Sequence, residues 1–161
     1  GDALETLNSL LTLRGSAGLK FKNRREMAKY YKLIRDVKKV LPISKEINRA
    51  IIETYEYLQT IPTEKGRQKH LKAVEKGLKE QYTPRMKKLS FSQGKLLIKL
   101  VDRQTHSTSY ELVKAFMGPF KAGFYQTFAA LFGASLKKQY DPTGDDALTE
   151  RVILMVESGQ L

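Results

Sequence analysis

The chain has 161 residues, of which 41% are hydrophobic, and it carries 29 Lys and Arg against 17 Asp and Glu. This length suits one domain with a hydrophobic core, and the composition excludes a fibrous or wholly disordered chain. The absence of Cys excludes a disulfide scaffold, a thiol nucleophile and a cysteine-ligated metal site. The formal net charge of +12 is the feature that a functional hypothesis has to explain.

The two ends of the chain carry different signals. Gly1 is not a start methionine, so we expect that a segment has been removed, for which a signal peptide is one explanation. Residues 1–19 are apolar without a clear period, and they predict a short extended N-terminal arm. No apolar run reaches about 18 residues, so we expect no transmembrane segment.

Helical periodicity begins at Asn23, where apolar residues start to recur at intervals of three and four. This pattern predicts a first helix that Pro42 ends or kinks, because proline lacks the amide hydrogen and clashes with the preceding turn. Ser44 then predicts the cap of a second helix that runs to about Thr60, and Thr63 predicts the cap of a third. Thr83 and Pro84 together resemble a cap and a first helical position, which predicts a new start there.

The second half of the chain also reads as helices. Ser90 and Gln93 have the spacing of a capping box, and they precede a helix that is apolar around most of its circumference, with Lys95, Lys99 and Asp102 as a thin polar strip. Further helices are predicted over 108–118, 119–138 and about 145–157, the last with Gly159 as its end signal. We therefore predict an all-α, single-domain bundle of six or seven helices over residues 20–161.

The excess charge is confined to two segments. Residues 20–41 hold nine Lys and Arg against two acids, and residues 63–89 hold nine against three. At about 100° per residue, each set of basic side chains falls on one helix face, opposite Ile34 in the first and opposite Val74 in the second. The predicted anion-binding residues are Arg24, Arg25, Lys29, Lys32, Arg35 and Lys39, followed by Lys65, Lys69, Lys72, Lys76 and Lys79.

Two interpretations of these basic faces stay open. They are either surfaces that bind an anionic lipid, a polysaccharide or an acidic protein, or solvated faces that keep the protein soluble. Nucleic acid is an alternative partner, but the chain shows no zinc-finger spacing, no aromatic RNP-like strand and no convincing helix-turn-helix.

The densest set of polar groups lies at the turn over residues 102–111. Its possible site residues are Asp102, Arg103, His106 and Tyr110, and with a nearby serine they would suit a small hydrolase-like enzyme. The competing interpretation is a polar turn whose Thr108 caps the next helix.

Two further features have both a structural and a functional interpretation. The residues from Asp141 to Asp146 resemble a calcium loop but lack the spacing of an EF-hand, so we expect neither a metal nor any other cofactor. Phenylalanine recurs every fourth residue over 116–132, which predicts either core packing or an apolar groove.

Several stretches of the sequence resemble an uncharacterised family of bacterial proteins, known as a domain of unknown function. These stretches are Gln93–Arg103, Thr108–Lys114, Leu19–Asn23, Arg35–Val40, Ile61–Glu64 and Leu136–Pro142. Members of that family typically begin with a secretion signal in bacteroidete-type Gram-negative bacteria. The resemblance therefore implies a periplasmic or envelope location, and it brings no activity or catalytic residues. Our hypothesis is a non-enzymatic, extracytoplasmic helical domain that binds an anionic partner.

Overall fold

The computed structural model of the protein describes residues 21–107, 126, 130 and 140–161, and only the backbone of residues 105–107. Four helices lie in these ranges: α1 (Arg24–Leu58), α2 (Glu64–Lys87), α3 (Phe91–Ser107) and α4 (Ala147–Glu157). Residues 126 and 130 are helical as well, and the described residues contain no strand. The all-α prediction is confirmed for this part of the chain, whereas the count of six or seven helices is not. The predicted arm and the Phe ladder lie outside the described residues.

The first correction concerns α1, which does not end at Pro42. The helix is continuous over 35 residues, so the predicted separate helix starting at Ser44 is wrong. Ser44 is completely buried, and its hydroxyl donates to the carbonyl of Leu41 at 2.7 Å. Val40 and Ile47 are fully buried on either side of the proline. Burial of the helix face on both sides outweighs the one backbone hydrogen bond that proline removes, and Pro42 itself is exposed.

The second correction concerns α2, which passes through Pro84 in the same way. Tyr82 and Met86 are buried before and after this proline, so the predicted new start at Thr83 is wrong. The start of α2 is as predicted, because the hydroxyl of Thr63 accepts a hydrogen bond from the Gly66 amide at 3.1 Å.

The predicted position of α3 is confirmed at its start and in its burial. The Gln93 amide donates to the Ser90 hydroxyl at 3.2 Å, while the Gln93 side chain accepts from the Ser90 amide at 3.1 Å, which is a complete capping box. Leu97, Ile98 and Leu100 are fully buried, as expected of a central helix. The predicted polar strip is partly wrong, because Asp102 is only 1% exposed.

The chain divides into two compact units. The described part of the first comprises residues 21–39 and 141–161, and that of the second comprises residues 40–107, 126, 130 and 140. Helix α1 belongs to the first unit up to Lys39 and to the second unit from Val40 onward. The expectation of a single domain stays a prediction.

The end of α4 follows its sequence signal. The Gln160 amide donates to the Met155 carbonyl at 2.9 Å, and the Gly159 amide donates to the Val156 carbonyl at 3.2 Å. Gly159 has a φ of 78°, so these bonds form a Schellman motif with glycine in the left-handed position. Among the described helices, none combines the length and apolar character that crossing a membrane requires.

Candidate anion-binding faces

The first candidate site is a basic face on α1, in the first unit. Its six side chains are all exposed. We call it the α1 basic face, and it consists of Arg24, Arg25, Lys29, Lys32, Arg35 and Lys39. Lys32 forms an ion pair with Asp36 at 2.9 Å. The other five have no carboxylate within ion-pair distance among the residues that the structure describes.

The second candidate site is a line of lysines on α2, in the second unit. We call it the α2 lysine stripe, and it consists of Lys65, Lys69, Lys72, Lys76 and Lys79. All five are exposed. Because they alternate between steps of four and three residues, they lie within an arc of about 80° and extend over about 21 Å of the helix. Lys76 is 4.0 Å from Glu80, and both of these side chains are highly exposed, so the pair neutralises little charge.

The opposite side of α2 packs antiparallel to the second part of α1. The ring centroids of Tyr57 and His70 are 4.6 Å apart near one end of this pairing. At the other end, Glu46 accepts hydrogen bonds from the hydroxyl of Tyr82 at 3.3 Å and from the guanidinium of Arg85 at 2.6 Å. These contacts hold the back of α2 against α1 and leave the lysine stripe facing solvent.

The cluster of Glu46, Tyr82 and Arg85 is an electrostatic contact that the sequence did not reveal. The hydrogen bond from Arg85 lowers the pKa of the Glu46 carboxyl, and the hydrogen bond to Glu46 raises the pKa of the Arg85 guanidinium. Burial, followed by the negative charge of Glu46, raises the pKa of the Tyr82 hydroxyl. Arg85 therefore has a structural role. Its partner Glu46 lies 39 positions away in the sequence, so no local spacing pattern predicts the pair.

Arg67 is also committed to a structural role. Its guanidinium donates to the Ile61 carbonyl at 2.8 Å and to the Glu64 carboxylate at 2.8 Å. Hydrogen bonds from Gln68 and Arg67 lower the pKa of Glu64. Glu64 and Arg67 stand three residues apart on one helix, so the sequence contained the signal for this pair.

The possible polar site over 102–111 is only partly within the described residues. Asp102 is buried, and its carboxylate accepts a hydrogen bond from the backbone amide of Tyr140 at 2.7 Å. Arg103 is half-buried beside it in sequence. The side chain of His106 and the whole of Tyr110 lie outside the described residues. The structure thus shows the Asp102 carboxylate bound to a backbone amide. The hydrolase-like site stays a prediction.

The loop that resembles a calcium site is closed by its own hydrogen bonds. The carboxylate of Asp146 accepts from the Asp141 amide at 2.9 Å, and the Asp141 carboxylate accepts from the Thr143 amide at 3.3 Å. No group of His, Asp or Glu in the described ranges is arranged to hold a metal ion.

These observations define a protein that is helical, without strands, throughout its described residues and that has two exposed basic faces. The chain belongs to the family described as a domain of unknown function, DUF4294, whose match covers residues 12–155. This confirms the resemblance to an uncharacterised family. Comparison with curated proteins and with solved structures found no match.

Proposed function

We propose that this protein is a non-enzymatic domain of the periplasm or cell envelope of a bacteroidete-type bacterium, and that it binds an anionic partner through the α1 basic face and the α2 lysine stripe. One observation carries the proposal. All eleven side chains are exposed, and within the described structure only Lys32 and Lys76 have an acidic partner. An anionic lipid, an acidic polysaccharide or an acidic protein would supply the missing negative charge.

The spacing of the lysines causes repulsion between their charges, and a bound anion would reduce it. Successive lysines of the α2 lysine stripe stand three or four residues apart, so each is a neighbour of the next on the helix surface. Like charges at this spacing destabilise a helix by about 0.2–0.5 kcal/mol per pair. An anionic partner bound along the stripe would relieve this repulsion, which supports binding.

The test is salt-dependent retention of the full chain on immobilised heparin and on anionic vesicles, with neutral vesicles as the reference. We expect retention that falls steeply with salt, because binding releases condensed counterions. A variant with Lys29, Lys32, Lys69 and Lys72 changed to Glu should lose retention on both supports. Unchanged retention of this variant, with an unchanged circular dichroism spectrum, would show that the basic faces are solvated surface only.

The compartment is a separate part of the proposal, and it is supported by the family resemblance. The encoded precursor should direct an attached reporter out of the cytoplasm when expressed in a bacteroidete-type host. A reporter that remains cytoplasmic would contradict this location and would leave nucleic acid as an available anionic partner.

A further inference from the structure

The α2 lysine stripe has a shape that distinguishes among anionic partners. Resting on the proposed function above, we infer that this stripe binds a linear acidic polysaccharide lengthwise, with acidic groups along the chain contacting the lysines. The α1 basic face spreads over a wider arc of about 140° and is not part of this inference.

The first argument is the spacing of the charges. Neighbouring lysines are on average 3.5 positions apart, which corresponds to about 5 Å along the helix axis. This is about the length of one sugar unit in an extended polysaccharide.

The second argument is the space beside the stripe. Taking Lys65 as zero, the residues at roughly 80–120° around the helix are Gly66, Ala73 and Gly77. Ala73 and Gly77 are exposed, and nothing lies within 4 Å of a Cβ placed on Gly77. At Gly66 a Cβ would meet the Thr63 hydroxyl at 2.8 Å, so the open surface is the part at Ala73 and Gly77, where a polymer chain can lie against the helix.

The third argument is the absence of apolar groups on the stripe itself. The large hydrophobic side chains exposed in the described structure are Tyr57, Phe91, Leu148 and Leu154, and none lies on α2. A helix that inserts into a bilayer surface presents such side chains among its lysines, and a surface that binds single-stranded nucleic acid presents aromatic side chains for base stacking. The α2 lysine stripe presents charge alone.

The experiment measures binding of the full chain to oligogalacturonates of increasing length, which carry one carboxylate per sugar unit. Affinity should rise with length until the oligomer spans the stripe, which is about 21 Å long, and it should rise little beyond that. Each change of Lys69, Lys72 or Lys76 to Gln should weaken binding about two- to fivefold and reduce the salt slope by about one. Lys95→Gln removes the same charge from an exposed position on α3 and should leave affinity unchanged.

A second variant separates a polysaccharide from a bilayer. Ala73→Leu keeps the charge and the helix propensity but places a bulky apolar side chain beside the stripe. We expect it to weaken oligogalacturonate binding and to strengthen binding to vesicles of anionic phospholipid. Vesicle binding without oligogalacturonate binding would overturn this inference and retain the proposed function. If the lysine variants bind oligogalacturonate as tightly as the unmodified chain, the inference is wrong. If the unmodified chain binds no anionic support at all, both the inference and the proposed function are wrong.

Discussion

At the scale of single residues, hydrogen bonds at helix ends account for where several helices begin and end. Thr63 and the pair of Ser90 and Gln93 satisfy amide groups at helix starts, and Gly159 closes the end of α4. Each of these signals acts over six residues or fewer, so the surrounding fold has little influence on it. Gly159 is the one residue with positive φ in the described part of the chain.

The first prediction compares two glycines. Gly159→Ala should lower the free energy of unfolding by about 1 kcal/mol, because a Cβ is strained in the left-handed region. Gly77→Ala should raise it by about 0.5–1 kcal/mol, because Gly77 lies inside a helix where an added Cβ meets nothing within 4 Å. Urea unfolding of both variants measures these changes, and changes of the same sign would contradict the conformational argument.

At the scale of elements, the two helices with internal prolines show how burial decides length. Pro42 and Pro84 are both exposed, and both have fully or nearly fully buried residues on each side in the sequence. Local rules place a helix boundary at such a proline, because those rules count only the lost hydrogen bond and the steric clash. The apolar face that continues beyond each proline is what keeps the helix continuous.

The second prediction tests this account with prolines in different settings. Pro42→Ala should stabilise the protein by up to about 3 kcal/mol, because alanine restores the missing backbone donor in the middle of α1. Pro62→Ala is the matched control in the connection between α1 and α2, where it should destabilise by about 0.4–1 kcal/mol by loosening the unfolded chain. The measurement is the thermal midpoint of each variant, and a lower midpoint for Pro42→Ala would show that the packing requires proline at this position.

At the scale of the whole molecule, hydrogen bonds between distant parts of the chain engage charged side chains in the fold. The Glu46 carboxylate holds Arg85 from 39 positions away, and the Asp102 carboxylate holds the backbone of Tyr140 from 38 positions away. Both contacts lie within the second unit. They give Arg85 a structural role, and they do the same for Asp102, which the sequence indicated as a possible site residue.

The third prediction concerns this buried carboxylate. Asp102→Leu should cost about 1–3 kcal/mol, because it leaves the Tyr140 amide without its acceptor at a buried position. Asp102→Asn retains an acceptor oxygen at the same place and should cost clearly less. Urea unfolding with hydrogen exchange at the Tyr140 amide measures both effects. Equal costs for the two variants would mean that the negative charge of Asp102, and not this hydrogen bond, stabilises the fold.

The sequence predicted parts of the fold and parts of the candidate site. Periodicity and local caps identified the helical class, the start of α3 and the end of α4, because these depend on neighbours within one or two turns. The sequence also placed the basic residues on helix faces that the structure shows as exposed, because helix geometry separates a charged face from an apolar one. Their binding of an anion stays a prediction. Asp102 was placed on a polar strip and proved to be buried, since a carboxylate can enter a core when a backbone amide pairs with it.

The sequence by itself determined the helical class, the net charge and the two helix faces on which the basic residues lie. Only the tertiary structure decided that α1 and α2 continue through their prolines, that Arg85 is bound to Glu46 and that Asp102 is buried. The physical reason is the distance along the chain over which each interaction acts. Periodicity and capping act between residues a few positions apart, whereas burial and ion pairing depend on which distant segments the fold brings into contact.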